Sequence, residues 1–254
     1  MRAPLKAGLT ALGILALPLS AQADIIGFEA GVSYWQQNPS GWIEDEVGGT
    51  PADIEDDLSL DDESDFTFWA AFEHPIPLLP NIKLRHTPMD LSGSGNVSRE
   101  FTFRGETYSA NADVDSSLQL DQTDFILYYE LLDNWVSLDL GANIKYIDGE
   151  LNVTGTSGGA TASETLSFSA PIPMLYGRAL AALPFTGLSV GAEASGIAYS
   201  GNNLVDASAF LRYEVMVLGV EAGYRYQQLE LDDVDDVSAD IEISGPYLGL
   251  YADF

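Results

Sequence analysis

Apolar residues recur at every second position through most of the chain. Ile26, Phe28, Ala30, Val32 and Tyr34 alternate with Gly27, Glu29, Gly31 and Ser33, and Phe66, Phe68, Ala70 and Phe72 alternate with Thr67, Trp69, Ala71 and Glu73. The same parity runs through 124–131, 136–146, 188–195, 205–214 and 218–227, whereas helical periodicity is weak throughout. Period two predicts β-strands with one apolar and one polar face. Several runs are about twice the ~5–6 residues of an ordinary globular strand, and a tilted strand of about 9–11 residues crosses a bilayer. Aromatics sit toward both ends of the apolar parity, Phe28, Phe72, Tyr129 and Tyr213 at one and Phe66, Tyr146 and Tyr226 at the other. Two interfacial girdles are what a lipid-facing band requires. A soluble exported β-sandwich binder also alternates and stays as the weakest reading.

The connections set the strand count. Segments 75–80, 132–134, 183–187 and 216–217 are short; 38–63, 91–116, 150–163 and 232–236 are longer and polar, with 200–203 a tight exception. Short periplasmic turns alternating with longer acidic external loops is the outer-membrane pattern. The fold expected is all-β: a transmembrane antiparallel up-and-down β-barrel of ten strands, both termini periplasmic. A hairpin at Phe101-Thr102-Phe103 would make twelve strands, and eight is the lower alternative. The last strand carries Leu248, Leu250 and Phe254 on one parity. That ending resembles the assembly signal which outer-membrane proteins present to the barrel assembly machinery.

The N-terminus has Arg2 and Lys6, an apolar run over 7–17, Pro18 and then Ala21-Gln22-Ala23. This is the layout of a secretory signal peptide, 1–23, cleaved before Asp24. The run falls short of the roughly 20 residues of a spanning helix. Residues 24–254 are then one barrel domain.

Charge narrows the function. The chain carries 10 Lys and Arg against 39 Asp and Glu, a net −29; without Arg2 and Lys6 the balance is 8 − 39 = −31. Such a surface repels phosphate backbones, which excludes a nucleic-acid partner. The absence of cysteine removes disulfides, thiolate metal sites and cysteine nucleophiles. His74 and His86 are the only histidines, and Asp90, Ser92 and Ser94 follow His86 closely. A lipid deacylase, lipase or omptin-like protease at the outer rim would need such groups to converge in space. No nucleophile elbow is present, so no enzyme activity is expected. The acidic positions Asp56, Asp57, Asp232, Asp233, Asp235 and Asp236 are weak candidates for Ca²⁺ or Mg²⁺. Their spacing is not that of an EF-hand. A solvated rim is favoured, no cofactor is expected, and any cation there would bridge to lipopolysaccharide phosphates.

Six of the eight mature cations fall on the non-lipid parity of their strands: Lys83, Arg85, Lys145, Arg178, Arg212 and Arg225. A bulge near Pro171 and Pro173 would displace Arg178 from it. The same parity holds Glu29, Glu73, Asp124, Glu130, Asp139, Glu193, Glu214 and Glu221. An unpaired charge in a narrow bore costs several kcal/mol, so these groups should pair across it. A ten-stranded bore is scarcely wider than its side chains. The expectation is a largely filled lumen and a structural or small-solute role, with a narrow cation-preferring channel as the alternative.

Ala170-Pro171-Ile172-Pro173-Met174-Leu175-Tyr176-Gly177-Arg178, Leu183-Pro184-Phe185-Thr186-Gly187-Leu188, Gly223-Tyr224-Arg225-Tyr226-Gln227-Gln228 and Gly245-Pro246-Tyr247 resemble a family of Gram-negative outer-membrane β-barrel proteins. The resemblance spans essentially the whole mature chain and is most specific after residue 170. It implies a barrel surrounded by outer-membrane lipid and lipopolysaccharide, and it carries over no catalytic or ligand residues.

Overall fold

A computed structural model describes residues 26–45, 49–76, 78–157, 159–234 and 237–254; the segment 1–23 lies outside the described residues. The strands are β1 (Gly27–Asp45), β2 (Ala52–Asp53), β3 (Glu63–Glu73), β4 (Asn81–Thr87), β5 (Asp90–Asn96), β6 (Phe101–Phe103), β7 (Glu106–Tyr108), β8 (Asp113–Asp133), β9 (Val136–Ser157), β10 (Ala160–Leu183), β11 (Leu188–Tyr199), β12 (Asn202–Val215), β13 (Leu218–Val234) and β14 (Val237–Asp253). Sequence neighbours pair antiparallel around the wall, and β14 returns to β1 from Glu29↔Asp253 to Asp45↔Val237. β4 and β5 both lie along β8 and form one wall strand interrupted at Pro88. The result is a closed ten-stranded up-and-down barrel. Closure satisfies the edge N–H and C=O groups that an open sheet would leave bare. The hairpin at Phe101 exists, but β6 and β7 pair only with each other. It adds nothing to the wall, so the count stays at ten.

Each long strand changes polarity partway along. In β8, Phe125, Leu127, Tyr129 and Leu131 face outward while Asp124, Ile126 and Tyr128 are buried inside. Farther along, Asp113, Asp115, Gln119 and Asp121 face out, and Val114, Leu118 and Leu120 are buried. In β9, Leu140, Ile144 and Tyr146 are exposed above buried Asp139, Asn143 and Lys145; then Ile147, Leu151 and Val153 turn in while Asp148 and Glu150 turn out. The wall is therefore apolar outside near the termini, as hydrocarbon demands, and apolar inside at the other end, as water demands. We call the second part the dome.

This inversion corrects the loop boundaries expected from sequence. β9 and β10 stay in register to Ser157↔Ala160, so 150–163 is a hairpin extension and not a long loop. β1 likewise runs to Asp45, and β13 and β14 reach Val234 and Val237. The register of β10 against β9 is also unbroken through Pro171 and Pro173, which leaves Arg178 on the inward parity opposite Asp139. No bulge forms there because both prolines present their missing N–H to the far side. Ala182 N donates to Trp135 O on the β9 side, so even positions of β10 face β9 and odd ones face β11. On that side the ladder ends at Leu175↔Gly196. A proline cannot donate to a ladder, so it ends where the prolines begin.

The dome is filled by the chain itself. Ile54, Leu58 and Leu60 from the β2–β3 connection, together with Phe101, Phe103 and Tyr108 of the hairpin, join one apolar core with Leu91, Val114, Leu118, Leu151 and Ile243. Asp53 shapes the plug: its Oδ1 accepts from the N–H groups of Glu55 and Asp56 at 3.0 and 2.9 Å. The plug reaches the wall through glycine. A Cβ on Gly93 would lie 1.8 Å from the Ser59 carbonyl oxygen, and Asp61 N donates to Ser92 O at 3.2 Å. Gly93→Val should lift the plug from β5 at a cost of about 1–3 kcal/mol. Amides over 54–60 are expected to exchange faster with deuterium while wall amides hold; unchanged protection over 54–60 would contradict this packing.

Candidate functional site

The charged lumen occupies the tier beneath the dome. β4 carries Lys83 and Arg85, β9 Asp139 and Lys145, β10 Arg178, β11 Glu193, β12 Asp206 and Arg212, and β13 Glu221 and Arg225. Period-two geometry aims all of them inward. Arg85 crosses the bore: Nε donates to Asp124 Oδ2 at 2.9 Å, Nη1 to Glu193 Oε1 at 2.9 Å and Nη2 to Asp206 Oδ2 at 3.0 Å. Lys83 pairs with Glu193. Lys145 Nζ reaches Asp124 Oδ1 and Asp206 Oδ2, each at 3.0 Å. Arg225 grips Asp206 with two donors, Nε at 2.9 Å and Nη2 at 2.8 Å, and stacks over Trp35 with its Cζ 4.7 Å from the ring centre. Lower down, Arg212 binds Glu29 at 2.6 Å and Glu221, and lies 4.5 Å from the Tyr251 ring centre. Arg178 meets Asp139 at 3.4 Å. Each of the six strand cations thus has a carboxylate partner.

The network has a lid and a floor. At its top, Gln122 and Gln227 exchange hydrogen bonds at 3.0 and 3.1 Å, directly beneath the leucines of the dome. At its base, Glu73 and Glu214 have no ion pair among the described residues and accept the Tyr128 and Tyr251 hydroxyls at 2.8 and 3.3 Å. Glu130 accepts from Asn81 Nδ2 at 3.2 Å. These acids line a vestibule of ≈ 150 Å³ at the terminal end. Within the paired tier a space of only ≈ 40 Å³ remains, on the scale of about one or two waters.

No protein-family model matches the chain, and no curated protein matches it. Among solved structures, the chain is similar to the outer membrane protease OmpT from Escherichia coli at 12% identity and TM-score 0.48, covering 93% of this chain and 99% of that one. It is similar to the translocator domain of the autotransporter NalP from Neisseria meningitidis at 11% identity and TM-score 0.49, covering 92% and 90%. Ail, the attachment invasion locus protein of Yersinia pestis, aligns at 11% identity and TM-score 0.35 over 90% and 99%. Closure, ten strands and an outward apolar band make the fold that of an outer-membrane β-barrel independently of these likenesses.

The other sequence candidates scatter. His86 faces outward opposite Phe68, with Nδ1 3.1 Å from Thr123 Oγ1, and His74 Nε2 lies 3.2 Å from Pro80 O. Asp57 is buried in the plug, where it accepts from Asp53 N at 2.9 Å and pairs with Arg99. Asp56 is exposed. The Asp232 backbone N–H donates to Asn202 Oδ1 at 2.9 Å. The Asp233 side chain, and Asp235 and Asp236 entirely, lie outside the described residues. Among the described residues no three acids or histidines are grouped to hold a metal ion. Leu248 and Leu250 of β14 and Phe254 just past it are exposed, and Phe254 exchanges backbone hydrogen bonds with Phe28 at 2.9 and 3.1 Å.

Sequence reasoning missed the hub. Asp206 serves Arg85, Lys145 and Arg225, and also accepts from Gln227 at 3.1 Å. Its signal was the parity of Val205, Ala207 and Ala209, which already turns position 206 inward. Asp206→Ala leaves three buried cations short of a partner and should cost about 3–5 kcal/mol. The folded, fast-migrating form on unheated gels should then be lost at a clearly lower temperature, while Asp232→Ala at the exposed rim should leave it unchanged. Equal transitions in the two variants would refute the hub.

Proposed function

We propose that this chain is an integral outer-membrane barrel of a Gram-negative bacterium, exported by its first 23 residues, that does not conduct. Its role is structural: a stiff stem that holds an apolar-cored dome at the cell surface. One observation carries this reading, the stacking of two impassable tiers in series. A hydrated ion would have to break the paired charges around Asp206 and then cross a core of Leu118, Leu151, Ile54 and Phe101, where it would be stripped of water at great cost. Among the described residues, the spaces found in the two tiers are only ≈ 60 and ≈ 40 Å³. Purified protein in planar bilayers should show no steady porin-like conductance. A sustained current would overturn this reading and, given the acidic vestibule, favour a cation-preferring channel.

The same reading assigns Phe254 to assembly. Phe254 lies at the seam where the last strand meets the first, its ring 6.4 Å from that of Phe28. Barrel closure depends on that strand being captured in register. Deleting Phe254 should lower outer-membrane abundance and raise periplasmic degradation. Heat-modifiable barrel at the normal level in cells would show that the assembly machinery reads something else.

A further inference from the structure

Among the described residues, the wall has a notch where the β11 side of β10 is unpaired. β10 pairs with β9 down to Ala160, but its ladder with β11 stops at Leu175, and the β11–β12 hairpin turns back at Ser200 and Gly201. The space left is ≈ 640 Å³, lined by Pro173, Met174, Leu175, Ile197, Ala198 and Val205 among others. Its level is fixed by register. Pro173 lies opposite Ile144, so the notch opens within the outward apolar band, two residues short of the level where Pro171 faces Tyr146; the unpaired edge of β10 continues past it. It is continuous with the lipid-facing surface.

Behind it lies a second apolar space. A cavity of ≈ 60 Å³ under the plug is walled by Leu118, Leu120, Leu166, Leu204 and Leu229. A single layer of side chains divides the two. Met174 lines the notch and is buried in the dome core, Ile197 lines the notch and packs against that core, and Leu204 lines the cavity while Val205 lines the notch.

We propose that the notch holds an acyl chain of a lipid in the adjoining leaflet, whose tip passes Met174 and Ile197 into the cavity under the plug. The edge chemistry excludes the obvious rival, an added peptide strand. At the level of the notch the gap-facing β10 positions 171 and 173 are prolines with no N–H to offer, so a regular ladder cannot form at that height. A hydrocarbon chain needs no hydrogen bonds. A chain already in lipid gains no hydrophobic burial by entering; it gains the dispersion contacts that a dry cavity lacks. This inference rests on the barrel lying in a bilayer, as the proposed function has it.

The test uses the full mature protein in dioleoylphosphatidylcholine bilayers doped with a phosphatidylcholine bearing a diazirine at one acyl terminus. After photolysis, cross-links are mapped by peptide mass spectrometry. Cross-links are expected on inward Leu166 and Leu204 as well as on outward Leu140 and Phe125. In Ile197→Trp and, separately, Val205→Trp, the inward cross-links should fall about tenfold or more, the scale on which a packed apolar pocket rejects one surplus methylene. Outward cross-links and heat-modifiable mobility should be unchanged. Labelling confined to the outward band, or inward labelling that persists in both folded variants, would overturn the notch site alone. Absence of outward labelling as well would overturn the bilayer seating, and the proposed function with it.

Discussion

The wall of this barrel has to be apolar on whichever face meets hydrocarbon or excludes water, and that face changes along every long strand. Phe125 and Leu127 point out on the same strand whose Leu118 and Leu120 point in. Once the outer face is committed to lipid, the inner face at that height can hold polar groups, because cations and carboxylates pair with one another across the narrow bore. Above the lipid the logic reverses and the bore must be apolar to hold together. The charged tier, the dome and the plug are consequences of that reversal.

Inside the stem, scarce cations decide where the carboxylates can be buried. Lys145, Arg85 and Arg225 come from three different strands yet meet at Asp206, which is buried within the bore. Acids that find no cation, Glu73 and Glu214, sit toward the terminal mouth and take tyrosine hydroxyls instead. Burial without a countercharge is costly, so the surplus acids gather where solvent can reach them. Trp35 and Trp69 extend the same economy: their ring faces lie under Arg225 and Lys83 at 4.7 and 5.3 Å and fill bore that charge alone would leave wet.

Parity along the chain points to the fold class and turns the strand cations inward, Arg178 only if no bulge forms at Pro171 and Pro173, and the connections point to ten strands with eight or twelve as alternatives. Parity could not show height. Which inward groups meet depends on strand tilt and stagger around the whole barrel, so Asp206 looked like one polar position among many. Parity also failed above the bilayer for a specific reason. Glu150, Asn152 and Thr154 read as loop because they face out, and the small inward Gly149 and Gly155 mask the apolar sequence of Leu151 and Val153. Those glycines are small because Phe168 and Tyr108 lie against them: a Cβ would come within 2.3 Å of each ring.

Prolines mark two of the places where the wall ladder is released, and these two releases end differently. At Pro88, β4 gives way to β5, and β3 has paired with its neighbour only as far as Phe68↔His86. The chain itself occupies that gap: Asp61 donates to Ser92 and Ser59 lies against Gly93 and Gly95. At Pro171 and Pro173 the ladder is released again, and among the described residues no segment lies along the freed edge of β10. The first gap opens toward the dome interior, where the nearest material is polypeptide with hydrogen bonds to give. The second opens at the height of Ile144 and Tyr146, where the nearest material is hydrocarbon. The edge that meets protein keeps its N–H and C=O groups, and the edge that meets lipid has given up two of its donors. This is what the cost of an unpaired amide in an apolar medium would select.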